Sequence, residues 1–535
     1  MSQERIILVL LYYGDSSVPL CYSTVGYIAA ESALAYGGAL HNKHVPARVQ
    51  QPGLIERTAY GPGKLRGAAP VAAGAIVLNN ADGGLDDILD YAFDGREFYI
   101  YEVDRADWQV LYLLRRGFIE QPTFNGETIT FQVRDALHSL DVNLLTTKYA
   151  GTNALPNGIE GTPDDIGGTE KPAVYGTCEN IPLVQVNTSK KIYQIDGVRG
   201  LKSGYSLALY DKRAVVTQDG AGDYADQTAM EATAPAAGQY RVCPSLGCIR
   251  INFTPAGTLT ADVTNPADAG GGVSELDEVI YTMFDLPTVG QLYDNVPDVG
   301  IYVRDGRTKL TALNELLASA GGFIVNGDPL DGAYSYGYST AQLYEPSSPF
   351  FTPKLTPILI TEKQIVKGTY PELLPPSEPE RGLPVWRVNV RYARNWTVMT
   401  ETDLAGIAAA EVAKWTQEYR TVTAEDSGVL TDWPAALELT VTTLIAGEAD
   451  AQAEADRLLA LFSVPRQRFS VRVPGAVIRD DAQMGTSGRV PGDFKPGARV
   501  TLQIPRFGLD AGKTFIVLEM REDFQNDTVT LIIWG

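Results

Sequence analysis

The sequence predicts a mainly β protein with a minor α component (α+β), assembled from several small antiparallel β-barrel or sandwich domains with a few packed helices. Three observations predict it. Gly (52), Pro (32) and Tyr (27) are abundant while Met (6) is scarce, so turn formers and β-favouring aromatics dominate over long helical periods. Short apolar runs recur along the chain, each bounded by Gly, Pro, Asn or Asp. The dipeptide Asn125-Gly126, between apolar runs, is a strong hairpin signal. At 535 residues and 44% hydrophobic content, the chain can form roughly three to four domains with real cores.

Residues 1–150 read as an N-terminal β-rich domain. The run Ile6 to Tyr13 is too short to span a membrane and lacks the basic start and cleavage site of a secretory leader, so it is expected to be a first strand. No other stretch approaches 18 apolar residues, and the chain is expected to be soluble and made in the cytoplasm. "AGAIVLNNADGGLDDILDYAFDGREFYIYEVD" reads as strand, turn, short helix, turn, strand. Leu85, Ile88 and Leu89 share one helical face, and Asp94-Gly95 makes a turn. In the strand after that turn Phe98, Ile100 and Glu102 face one way, Tyr99 and Tyr101 the other. The hairpin at Asn125-Gly126 leads into alternating Ile129, Phe131 and Val133.

Residues 151–171 are rich in Gly, Pro, Asn and Asp and read as a linker or long surface loop. Residues 172–268 read as a small β domain of short strands, suited to a sandwich or barrel. Residues 269–370 read as α+β. Ser274 is placed to cap a helix carrying Leu276, Val279, Ile280 and Met283. Thr308 or Thr311 caps a second helix striped by Leu310, Leu313, Leu316 and Leu317, ended by Gly321-Gly322, with a hairpin after it. Residues 371–465 again read as α+β. A Pro-rich connector enters a strand from Val385 to Tyr392, an Ala-rich helix comes next, and a later helix buries Leu458, Leu459 and Phe462. Residues 466–535 read as a C-terminal antiparallel β domain of four strands. Its last strand, Thr528 to Trp534, is expected to be paired on at least one side with its apolar face covered.

The formal charge is −21, so the average surface repels a polyanion such as DNA, and no basic run points to specific nucleic-acid recognition. Four cysteines in 535 residues are no disulfide scaffold. Cys178, Cys243 and Cys248 fall in one block and are the candidate metal or iron–sulfur ligands, although such sites want four soft ligands and C-x4-C departs from the usual spacing. A Cys243–Cys248 disulfide and buried free thiols are the other readings. His41 and His44 in "HNKH" lack a third ligand and read as surface histidines, and His138 as structural or solvated. Asp82, Asp86, Asp87 and Asp90 fail the calcium-loop frame and read as an N-cap with a solvated helix face. No nucleophile elbow, zinc-protease, phosphate-loop or dinucleotide motif is present, so no catalytic residue is assigned.

Three stretches resemble the baseplate or tail-tip hub proteins of tailed bacteriophages, of the kind found in long-tailed siphophages. The first runs from "GAIVLNNADGGLDDILDYAFDGREFYIY" through "FIEQPTFNGETITFQVRDALHSLD". The second is "KPAVYGTCENIPLVQVNTSKKIYQI" with the later "TADV", and the third is "GARVTLQIPRFGLDAGKTFIVLEMREDFQNDTVTLIIWG". The resemblance implies a virion structural protein rather than an enzyme. It implies a homotrimer at the tail tip that caps the tube, contacts a distal tail protein and the tape measure protein, carries fibres or spikes, and lets DNA pass. A lambda-like relative holds an iron–sulfur cluster on four clustered cysteines, whereas here only three cysteines fall in one block, with a different spacing. The resemblance therefore does not by itself assign a cofactor. Two other readings stay open: a distal tail ring or receptor- or carbohydrate-binding tail-tip protein, in which the Tyr-rich "GAYSYGYS" stacks on sugars, and a β-rich cell-wall glycosidase.

Overall fold

The computed structural model describes residues 6–29, 42–60, 73–103, 105, 108, 110–134, 138, 140–266, 275–284, 297–324, 341–342, 357–376, 382–404, 409–479, 494 and 496–535. The protein is mostly β, with 40% strand and 17% helix in several sheets, as the composition requires. Its chain divides into two compact units. One unit gathers Met1–Leu140, Gly321–Leu383 and Pro465–Gly535; the other gathers Asp141–Ala320 and Pro384–Val464. Each unit thus gathers segments that lie far apart in the sequence. Strand pairing between distant segments overrides sequence proximity.

In the first unit a fifteen-stranded sheet carries the architecture. Its main path runs Leu20–Ser23, Ile6–Leu11, Arg96–Val103, Val110–Ile119, Thr128–Arg134, Ala73–Asn79, Leu54–Thr58, Lys513–Asp523, Thr528–Trp534, Arg468–Pro474 and Glu372–Leu373. Ile6–Leu11 is apolar at every position because both its faces are buried. Ile7, Val9 and Leu11 enter one core with Phe98, Ile100, Ile129, Phe131 and Val133. Ile6, Leu8 and Leu10 enter another with Tyr99 and Tyr101. The alternation read from Phe98 to Tyr101 is therefore real, but neither face is open to solvent.

The strand Lys513–Asp523 joins the N- and C-terminal parts of this unit. Its first half pairs Arg499–Gln503, with Arg499 opposite Ile516. The register then breaks between Val517 and Glu519, and the second half pairs Leu54–Thr58, with Glu519 opposite Thr58. An extra residue in one strand bends it and redirects the side chains beyond the bend, so one strand serves two cores. A buried ion cluster marks the join. Glu522 accepts from Arg115 Nε at 2.9 Å, and Arg57 Nη2 lies 3.6 Å from its Oε2. The terminal strand Thr528–Trp534 lies between Lys513–Asp523 and Arg468–Pro474, paired on both sides. Val529, Leu531 and Ile533 are buried in the C-terminal core with Phe469, Phe515 and Val500. That double pairing accounts for apolar residues so near the end of the sequence.

In the second unit a five-stranded and a four-stranded sheet enclose one core. The first has the order Ala214–Val216, Ser206–Asp211, Leu259–Asn265, Ala173–Pro182, Gly300–Val303. The second has the order Val184–Asn187, Ile192–Gln194, Cys248–Ile251, Tyr240–Cys243. Val174, Cys178 and Ala261 from one sheet meet Val242, Ile249 and Ile251 from the other. Residues 151–171 form a loop folded on itself: Gly151 N donates to Glu160 O (2.9 Å), Asn153 N to Gly161 O (2.9 Å), and Lys171 Nζ to Glu160 Oε1 (2.6 Å). Ile159 from this loop is buried beside Tyr149.

Of the two threonines read as caps, Thr308 is the one that caps, accepting from Thr311 N at 3.2 Å, and Leu310, Leu313, Leu316 and Leu317 are buried below it. Leu276–Phe284 forms the helix before it; Ser274, its expected cap, lies outside the described residues. The strands Phe323–Ile324 and Ala341–Gln342 pair antiparallel as the expected hairpin ends, while the Tyr-rich residues 332–339 lie outside the described residues.

A three-stranded sheet completes the second unit, with Val385–Tyr392 between Arg420–Glu425 and Leu437–Thr442. The helix Glu448–Phe462 packs on it. Leu458, Leu461 and Phe462 are its buried large residues; Leu459 is only half-buried, one position off the stripe. Among the described residues, no helix is long and apolar enough to cross a membrane.

Candidate functional site

The three candidate ligand cysteines separate into two places. Cys178 is buried in the sandwich core on Ala173–Pro182. Cys243 and Cys248 are register partners across the hairpin Tyr240–Cys243/Cys248–Ile251, where Pro244–Leu246 and Gly247 make the turn, and both enter the cluster around Tyr149 and Met230. All four cysteines are free thiols. Burial pushes up the pKa of Cys178, Cys243 and Cys248, which keeps them protonated and unreactive, and pushes Cys21 up to about 11. Among the described residues no group of three or more His, Cys, Asp or Glu side chains is arranged to hold a metal ion.

His44 begins the two-residue strand His44–Val45 paired with Tyr27–Ile28, and His41 lies outside the described residues. His138 has no hydrogen-bond partner at its buried Nδ1. The acidic stretch Asp82–Asp90 forms a short 3-10 helix over Asp86–Asp90 that has no side-chain cap. Asp82 instead pairs with Arg48 at 2.6 Å and accepts from Gly84 N at 3.0 Å, and Arg48 holds its carboxyl down to about 2. At the start of this helix Asn80 Oδ1 accepts from Leu85 N (2.8 Å), while the Asp82 carboxylate serves both the Gly84 amide and the Arg48 guanidinium.

Two buried polar networks escaped the sequence reading. Asn180 and Asn395 are both buried, and Asn180 adopts a φ of +54° at an irregularity in Ala173–Pro182. Asn180 Nδ2 donates to Asn395 Oδ1 (2.8 Å) and Thr397 O (2.6 Å), and Asn395 Nδ2 to Trp415 O (2.8 Å). Arg213, at the tip of the hairpin Ser206–Asp211/Ala214–Val216, holds Asp262 through two bonds of 3.0 and 2.9 Å. Its guanidinium lies 3.7 Å from the Tyr210 ring centre and 3.4 Å from that of Trp415. Glu179 and Arg420 pair nearby. Together these groups tie the sandwich to the segment carrying the three-stranded sheet. The other network surrounds Asp196, which accepts from Arg199 N (2.8 Å), Val174 N (3.1 Å) and Asn265 Nδ2 (2.9 Å); burial raises its pKa. These are positioning networks. Their only sequence signal is polar residues inside short apolar runs, which reads equally as a surface alternation.

The surface with the clearest capacity to bind another chain is the three-stranded sheet. Val388, Val390, Val422, Ala424, Leu439 and Val441 are buried on one face. The opposite face presents rungs set by register: Glu425–Arg387–Glu438, Thr423–Asn389–Thr440 and Thr421–Arg391–Thr442. Arg387 bridges Glu425 (3.0 Å) and Glu438 (3.2 Å), and Thr423 Oγ1 donates to Asn389 Oδ1 (2.8 Å). Among the described residues, Arg420–Glu425 and Leu437–Thr442 each pair on one side only. Each therefore presents a backbone edge to an incoming strand, although Thr423 O on the first already accepts from Gln452 Nε2 (3.4 Å).

No protein-family model matches the sequence, and a search of curated proteins finds no match. Among solved structures, the chain is similar to a tail protein from Neisseria meningitidis MC58, with TM-score 0.41 and 10% identity over 99% of this chain and 96% of that one. It is similar to the 43 kDa tail protein of prophage MuSo2 from Shewanella oneidensis, with TM-score 0.39 and 10% identity over 98% of each. The third is prophage tail protein gp18 from Listeria monocytogenes EGD-e, with TM-score 0.35 and 7% identity over 92% of this chain and 91% of that one.

Proposed function

We propose that this protein is a structural component of a bacteriophage tail, and within the tail the tip hub: a homotrimer that caps the tube, contacts the distal tail protein and the tape measure, carries fibres or spikes, and lets DNA pass on ejection. Its task is assembly, with no catalytic step. The sequence stretches quoted above, which resemble tail-tip hubs, support this reading of the assembly. The observation that carries the assembly role is the three-stranded sheet, with two edge strands that pair on one side only among the described residues and a polar face. Closed rotational symmetry would satisfy such edges by pairing them between copies. A net charge of −21 suits a passage through which DNA slides without sticking.

Light scattering on purified full-length protein, together with symmetry-resolved imaging of particles that contain it, tests this reading. A threefold assembly at the tail tip is expected. A sixfold ring would favour a distal tail protein, and a lone subunit absent from particles would end the proposal. Thr423→Lys with Thr440→Lys, at exposed positions on both edges, is expected to shift the assembly toward monomer while leaving the fold intact by circular dichroism.

A further inference from the structure

The first unit carries a cleft of about 250 Å³ between the turn Glu362–Pro371 and the turn around Ile504–Phe507. Two aromatic side chains stand open at it: Tyr370 is 78% exposed and Phe507 43%. Phe507 sits at φ +58°, a left-handed conformation that a bulky residue rarely adopts and that glycine would fill without strain. Its ring leans on buried Phe469, 5.4 Å between centres, and the Arg506 guanidinium lies 5.7 Å from its centre, so it is braced while part of the ring stays exposed. The facing turn is fixed by Thr369, whose backbone N and Oγ1 both donate to Val366 O (3.0 and 2.7 Å), and by Val366 N, which donates to Arg472 O (2.9 Å). Around the rings stand Glu362, Lys367 and Arg506, the last with its guanidinium over the Phe507 ring. Both charge signs are present, so the cleft is not built for a simple anion.

We propose that this cleft binds a saccharide unit. A sugar ring has an apolar C–H face that stacks on an aromatic ring and a rim of hydroxyls that both donate and accept. Tyr370 and Phe507 supply the stacking faces, Glu362 accepts hydrogen bonds from hydroxyls, and Lys367 and Arg506 donate to hydroxyl oxygens. The volume falls just under the range of drug-sized pockets, which suits one ring rather than a long chain. An extended peptide is the poorer occupant. The adjoining sheet edge is the two-residue strand Glu372–Leu373, flanked by Pro371, Pro375 and Pro376, and proline supplies no N–H for strand addition. This site is independent of the assembly reading, and either can fail without the other.

The test uses the full chain and a defined probe set: methyl glycosides of glucose, galactose, N-acetylglucosamine and rhamnose, free in solution and displayed on a polymer. Saturation-transfer NMR and surface binding are the readouts. At least one glycoside is expected to bind. Tyr370→Ala and Phe507→Gly are each expected to weaken that binding by about tenfold. Tyr370→Ala, at a residue 78% exposed, should leave the melting temperature unchanged, so its loss of binding cannot come from unfolding. Val215→Ser, at an exposed apolar residue of the other unit, should leave binding unchanged. Binding by none of the probes, or binding unaffected by both cleft variants, overturns the proposal. Selection of a displayed peptide whose binding is lost in both variants overturns it in favour of protein docking.

Discussion

Arg213 illustrates how far a single residue's role depends on its surroundings. In the sequence it is one basic residue in a turn, "YDKRAV". In the structure its guanidinium is buried, forked onto Asp262 and sandwiched by Tyr210 and Trp415. Arg213→Ala removes the stacking and leaves Asp262 with its bond from Asn180 N and partial contact with solvent, so it is expected to cost about 2 kcal/mol in denaturant unfolding. Arg213→Lys should recover little of that loss, because an ammonium cannot reproduce the planar fork. Cys21 gives a pH signature at the same scale. Burial raises its thiol to about 11 from an ordinary 9.0. The unfolded chain therefore loses this proton first as pH rises, and folding stability should fall between about 9 and about 11. Cys21→Ala should flatten that part of the stability–pH curve. All four buried thiols should resist alkylation in the native protein and react fully in denaturant.

At the scale of elements, close approach of strands decides which residues are tolerated. Gly300 begins the strand Gly300–Val303 and lies opposite Gly176. A Cβ built there would collide with the Thr177 carbonyl oxygen, which is backbone and cannot swing aside. Gly300→Ala is expected to destabilise the second unit by about 1–3 kcal/mol, measured by chemical denaturation. The helices obey simpler rules. Thr308 caps Lys309–Ala318, and its leucine stripe was legible because helical periodicity is local. The short helix near Asp82 was legible in place but not in kind, since a 3-10 turn and one turn of α-helix share nearly the same apolar spacing.

At the scale of the whole molecule, the division into units does not match the order of the chain. Lys513–Asp523 supplies a strand to the sheet of Leu54–Thr58, so residues from opposite ends of the sequence complete one fold. Removing Pro465–Gly535 would leave Leu54–Thr58 unpaired on that side and Glu522 absent from the Arg57 and Arg115 cluster. A 1–464 fragment is therefore expected to lose the cooperative unfolding of the first unit and to become protease-sensitive within 1–140. A two-state transition retained by those residues would contradict the pairing.

The sequence by itself determined the β-rich class, the position of most strands and helices, the first strand at Ile6–Leu11 and the absence of familiar catalytic motifs. These come from side-chain periodicity and turn chemistry, which act over a few residues. Tertiary structure alone decided that distant segments share one sheet, that Cys178 parts from Cys243 and Cys248, and that Asn180, Asn395 and Arg213 meet in one buried network. It also decided that Tyr370 and Phe507 face the same cleft. Backbone pairing joins strands regardless of their separation along the chain, and an isolated polar or aromatic residue carries no mark of the partner it will find across that distance.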